Sequence, residues 1–239
     1  MRDSSRSVCR LDASQQSLGS RDHATTDLVR IYARTAGGKI DRFRALSAKC
    51  PVEAATPIHE LGRVAEDESA RWLVDLIKRG DAGTSTRRHD IEDDVLAALA
   101  VNRGNDARDG LAGIARNDAR TETRKQAVFW MALLRGLEGA DITSSIMFND
   151  KNAEVREHAA FSLSQSDAPR TTADLIRLAN TDRDAEVRGQ AWFWLAQTGV
   201  PEAENAIFPA LRKETDHDVR ERAIIALSQL PDARATKAL

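Results

Sequence analysis

The chain has 239 residues, 41% of them hydrophobic and 30% charged, and its acids and bases are interspersed to a formal net charge of -2. That balance gives no electrostatic basis for a nucleic-acid or anionic-membrane partner. No stretch approaches the roughly 18 apolar residues of a membrane span.

Residues 1–26 are polar, rich in Ser, Asp and Arg, and without period, so they read as a loosely ordered lead-in. They contain no apolar signal-peptide core. The chain reads as cytoplasmic, or as extracytoplasmic if it is a processed or truncated form of an exported protein. Cys9 and Cys50 are the two cysteines, both outside the regular part of the chain. They are either two free thiols or a bridge closing a loop of about 40 residues, worth roughly 4 kcal/mol of chain entropy.

Residues 27–60 have a different texture. Two β-prone runs, 28–35 (LVRIYART) and 40–47 (IDRFRALS), flank Ala36-Gly37-Gly38-Lys39, which is a hairpin signal. Val29, Ile31 and Ala33 alternate with Arg30, Tyr32 and Arg34, which suits a ribbon with one covered face. Residues 61–89 then supply a helix over 69–79, apolar at Trp72, Leu73, Leu76 and Ile77, and a linker. That helix can cover the ribbon and cap the array C-terminal to it.

From residue 90 to 239 one register recurs every 32 residues. The runs 123–133 (TRKQAVFWMAL), 155–165 (VREHAAFSLSQ), 187–197 (VRGQAWFWLAQ) and 219–229 (VRERAIIALSQ) align without a gap. Each has Arg at its second position, Ala at its fifth and Leu or Met at its ninth. A weaker copy upstream keeps Ile91, Val95 and Leu99. Apolar residues at i, i+4 and i+8 on such a period predict stacked helix pairs, a mainly α solenoid. Pro169 and Pro201 fall in the first turn of the first helices. Asp118, Asp150, Asp182 and Glu214 fall just before the second helices, where an acid can cap free N–H groups. Pro209 should kink its helix. Residues 232–239 would open another first helix, leaving the last repeat incomplete.

Helix pairs with an Asp at the turn, Val-Arg opening the second helix and Ala then Leu on its inner face resemble HEAT repeats. The similarity is greatest to the compact bacterial HEAT-like type found also in phycobilisome lyases. TRKQAVFWMA and VRGQAWFWLAQ look like a bacterial group of unassigned function in which a cysteine pair and a β-ribbon precede the repeats. The resemblance implies protein binding or scaffolding, with no catalytic residues to carry over and no cofactor, and with the second helices lining a concave face.

At 100° per residue, positions one, five, eight and nine of the second helix fall on the side that must be buried. On that side Trp130, Ser162, Trp194 and Ala226 alternate large and small, as interdigitated packing requires. Positions four, seven and eleven point away. From them comes a candidate partner-binding ridge of Gln126, Phe129, His158, Phe161, Gln190, Phe193, Gln197, Arg222, Ile225 and Gln229. Its rings form either an apolar ladder for a protein or peptide partner or packing between neighbouring repeats. The Arg row is better explained by ion pairs to the turn acids than by phosphate binding. The five histidines form no metal motif. The expected function is therefore a non-enzymatic binding or scaffold module, the alternatives being a lyase- or hydroxylase-type HEAT-like enzyme and a purely structural repeat.

Overall fold

The structure, a computed structural model, describes residues 9–11, 28–80 and 88–228. Most of the lead-in, Gln229 and the segment 232–239 lie outside the described residues. The chain divides into two compact units, Met1–Leu111 and Ala112–Leu239.

In the first unit, β1 (Cys9–Arg10) pairs in parallel with β4 (Val52–Glu53), and a Cys9–Cys50 disulfide joins the same two segments. Strands β2 (Val29–Ala36) and β3 (Lys39–Ser47) form the antiparallel hairpin. Gly37 and Gly38 turn it at φ of 59° and 76°, left-handed values that favour Gly at both central positions of this tight turn.

Helix α1 (Glu66–Arg79) begins with Glu66, Asp67 and Glu68 at its positive end and stops at a left-handed Gly80. Its Ala70, Leu73, Leu76 and Ile77 point inward. Trp72, expected on that face, is 43% exposed and lies against Phe43, ring centroids 6.3 Å apart. Helix α2 (Arg88–Val101) packs on β3, and Arg44 of β3 donates to Asp94 of α2 at 2.6 Å. Because the helices cover β3, the fully buried hairpin residues are Phe43 and Ala45. On β2, Ile31 and Ala33 remain exposed although they share that face, so the expected burial of β2 is corrected.

Helix α3 (Asn105–Asn117) contains the boundary between the units. Beyond it come α4 (Thr121–Leu134), α5 (Gly136–Asn149), α6 (Ala153–Ser164), α7 (Thr171–Thr181), α8 (Ala185–Gln197), α9 (Pro201–Lys213) and α10 (His217–Ser228). The second helices α4, α6, α8 and α10 start 32 residues apart and pack each on the next. Helices α5, α7 and α9 form the other layer in the same way.

The core between the layers takes position one (Thr123, Val155, Val187, Val219), the Ala row at position five and Met131, Leu163 and Leu195 at position nine, all nearly solvent-free. At position eight only the small side chains belong there, Ser162 and Ala226 being 1% and 0% exposed. Trp130 and Trp194 are half-buried, and the buried indole is Trp192, 1% exposed, at position six beside Val128 and Ala160 in the same register. Position eight lies at the edge of the buried stripe, where a small side chain is covered and an indole reaches past it. Arg124 and Arg156, at position two, are buried to 5% and 2% and lie within that stripe.

Those arginines tie each repeat to the next. Arg156 meets Asp182 through Nε at 2.8 Å and Nη2 at 2.9 Å, and its Nη1 donates to the Asp150 carbonyl at 3.0 Å. Arg124 faces Asp150 at 3.5 Å, and Arg188 faces Glu214 at 3.2 Å. Each also donates to the carbonyl of the turn acid in its own repeat.

The turn acids do not cap the second helices as expected. Asp150 and Asp182 end the first helices, and each carboxylate accepts the N–H two residues on, closing the turn. The caps are Asn152, Asp184 and Asp216, which accept from Glu154, Glu186 and Asp218 N–H groups at 2.8, 2.9 and 3.0 Å. Pro201 opens α9, whereas Pro169 stands in the turn two residues before α7. Pro209 lies within α9, which continues to Lys213.

Candidate protein-interaction face

The outward face of the second helices carries a continuous row of rings. Phe129 and Phe161 stack at 5.9 Å with planes 6° apart, and Trp130 meets Phe129 edge-on at 5.2 Å. Trp194 lies 4.7 Å from Phe161 and 5.0 Å from Phe193, while His158 lies 5.5 Å from Phe161. All of these rings are half-buried. The two alternatives for the ladder are thus both present in part: rings of adjacent repeats pack on each other, and each keeps an open edge or face.

Gln126, Gln190 and Arg222 are half-buried as well, Gln197 and Ile225 are exposed, and Gln229 is outside the described residues. Gln190 turns its amide to Glu186 of its own helix at 3.4 Å. Where α10 brings Ile225 to position seven instead of a ring, the ladder ends in an open recess of about 220 Å³ lined by Gln190, Phe193, Arg222 and Ile225. Arg222 reaches it by lying across Gly189, where a Cβ would sit 2.6 Å from its Cδ, and pairs with Glu186.

A second recess, of about 330 Å³, is lined by Lys125, Glu154, Glu157, His158, Phe161 and Trp194. Half of these residues were not singled out from the helical positions, although position three, which holds Lys125 and Glu157, lies next to position seven on the same wheel. Trp194 was missed because it was assigned inward. Burial, reinforced by the charge of Lys125, pushes the His158 pKa down to about 4, so this imidazole is neutral at physiological pH. Burial, with the like charge of Glu186, raises the Glu157 carboxyl above its ordinary value.

Among the described residues, His217, Asp218 and Glu221 bring ligand atoms within 4.8 Å of one another at the exposed start of α10. Acids there complement the helix dipole without an ion.

The family profile for HEAT repeats matches residues 108–192 and 177–239, more than half of the chain. The chain belongs to the HEAT-repeat family. No curated protein matches it. HEAT repeats typically serve as protein-interaction and scaffold modules, and the family is generally non-enzymatic. The match begins within α3 and takes in α4 to α10, the same helices that carry the ring row and both recesses. Among the described residues no helix is long and apolar enough to cross a membrane.

Proposed function

We propose that this HEAT-repeat protein is a non-enzymatic binding module that docks a protein segment along the outward face of α4, α6, α8 and α10. The supporting observation is the ring row. In a repeat array whose inner positions are almost free of solvent, five aromatic side chains at positions seven and eight and His158 at position four stay half-open on one face, with two recesses along them. Folding alone has no use for open apolar surface at successive repeats, whereas a partner gains affinity from it. The amides of Gln126, Gln190 and Gln197 stand beside the rings, where they can pair with a partner's backbone and set its direction. In the sequence, Gln229 falls at the same repeat position as Gln197.

The test is capture from the source cell by the intact chain and by Phe193→Ala/Ile225→Ala. Ile225 is 47% exposed and Phe193 half-buried against Trp194, so the variant should stay folded and helical with a modestly lower melting temperature and lose the partner. A partner retained at full yield would refute the reading.

A further inference from the structure

We propose that the recess walled by Phe161 and Trp194 and rimmed by Glu154 and Glu157 receives an arginine side chain from a basic segment of a partner protein. This rests on the reading of the second-helix face as protein-binding, and adds which chemistry the face selects.

The walls are aromatic. Phe161 and Trp194 stand 4.7 Å apart with planes 52° to one another, both half-open to the recess. Two aromatic faces at such an angle form a corner, and a cation within about 6 Å of a ring centroid is attracted by the ring quadrupole, most strongly by Trp.

The rim carries unmatched negative charge. Among the described residues the side chains of Glu154 and Glu157 make no hydrogen bond or ion pair, while the neighbouring cations are engaged: Lys125 with Glu122 at 3.0 Å and Arg222 with Glu186. Four carboxylates, Glu122, Glu154, Glu157 and Glu186, face two cations, Lys125 and Arg222. His158 adds no charge at physiological pH, and burial, then the like charge of Glu186, raises the Glu157 pKa despite the opposing charges of Arg222 and Lys125.

The occupant is fixed by elimination. An acidic side chain would add to the excess, and an apolar one would desolvate Glu157 further without a partner. A lysine ammonium is compact and strongly hydrated, whereas a guanidinium sheds water more easily and stacks on rings. Its fork also matches two carboxylates three residues apart on one helix face, the spacing of Glu154 and Glu157. A recess of about 330 Å³ has room for one long side chain.

Panning the intact protein against a displayed random-peptide library tests this. Selected peptides should carry arginine at one fixed position. A synthetic copy with citrulline there, which keeps the shape and removes the charge, should bind roughly tenfold more weakly. Glu154→Gln/Glu157→Gln should lose the same factor for the arginine peptide and show little further loss with citrulline. Glu202→Gln, an exposed carboxylate on α9, should lose nothing. Neither Gln substitution removes a hydrogen bond or ion pair made within the described chain, and a melting temperature no lower than that of the intact protein confirms that the variant is folded. Peptides selected without arginine, or arginine peptides that bind the double variant unchanged, would overturn the inference and leave the protein-binding reading standing. Failure to select any peptide would overturn both.

Discussion

Replacing Arg156 by Met should destabilise the repeat unit more than any other substitution in the arginine row. The Arg156 and Asp182 side chains are 3% and 5% exposed, and the guanidinium makes two bonds to the carboxylate and one to the Asp150 carbonyl. Met keeps most of the stem but leaves Asp182 a buried charge with the Asp184 N–H and the Asp150 carbonyl without this donor. Breaking a buried pair from one side costs about 3–5 kcal/mol. The same change at Arg188, whose pair with Glu214 is 17% exposed on both sides and longer, should cost about 1–3 kcal/mol. At Arg220, which is exposed, it should cost no more than about 0.5 kcal/mol. Arg156→Met/Asp182→Asn should recover part of the loss, since no buried charge is stranded. Urea titration followed by far-ultraviolet circular dichroism measures all four. Equal losses at Arg156 and Arg220 would refute the assignment of the row as the tie between repeats.

The same contacts set the response to pH. Burial raises the Asp182 pKa, but the Arg156 hydrogen bond, the Asp184 N–H and the Arg156 charge together hold it below the ordinary 3.8. Its contribution is therefore complete above that value and lost as pH falls through the depressed one, so the Asp182→Asn variant should show a shallower stability loss below about pH 4 than the intact protein. A pH-titrated melting series checks this, and parallel curves would contradict it. Glu157 has the opposite sign: its raised pKa makes folding less favourable as pH rises through and above the ordinary 4.5. Glu157→Gln should melt slightly higher at neutral pH, with the gain vanishing in acid. Trp192→Ala should cost about 3–5 kcal/mol, the range for emptying a buried aromatic site, and Trp194→Ala clearly less; equal losses by denaturant titration would contradict the observed burial. Reducing the Cys9–Cys50 bridge, which spans 41 residues, should destabilise the first unit by about 4 kcal/mol from chain entropy, read from melting with and without reductant.

The repeat was legible because it is a sequence regularity before it is a structure: helices α4, α6, α8 and α10 begin at the spacing of the aligned runs. The hairpin was legible in Gly37-Gly38, and the arginine row in its match to the turn acids. Helix-wheel geometry placed the indoles of position eight inward because it left the Arg of position two out of the buried side. A buried, paired guanidinium broadens the inner stripe past what apolar residues alone mark, so that Trp192 falls within it and Trp194 at its edge. The turn acids were misread for a related reason. Asp182 and the true cap Asp184 stand two residues apart with the same side chain, and each carboxylate accepts the N–H two residues on, so only the start of α8 at Ala185 separates their roles. Burial on β3 rather than β2 depends on which strand the helices meet, a long-range contact with no local signature.

The central claim, that the outward face of the second helices holds a partner, is tested most directly by site-specific photo-crosslinking in the source cell. A photoreactive residue in place of Ile225, exposed beside the recess, should give one discrete adduct that is lost when Phe193→Ala is added. The same residue in place of Asn180, exposed on the first-helix layer in α7, should give none. An adduct at 180 with none at 225 would place the working surface on the other layer and contradict the account.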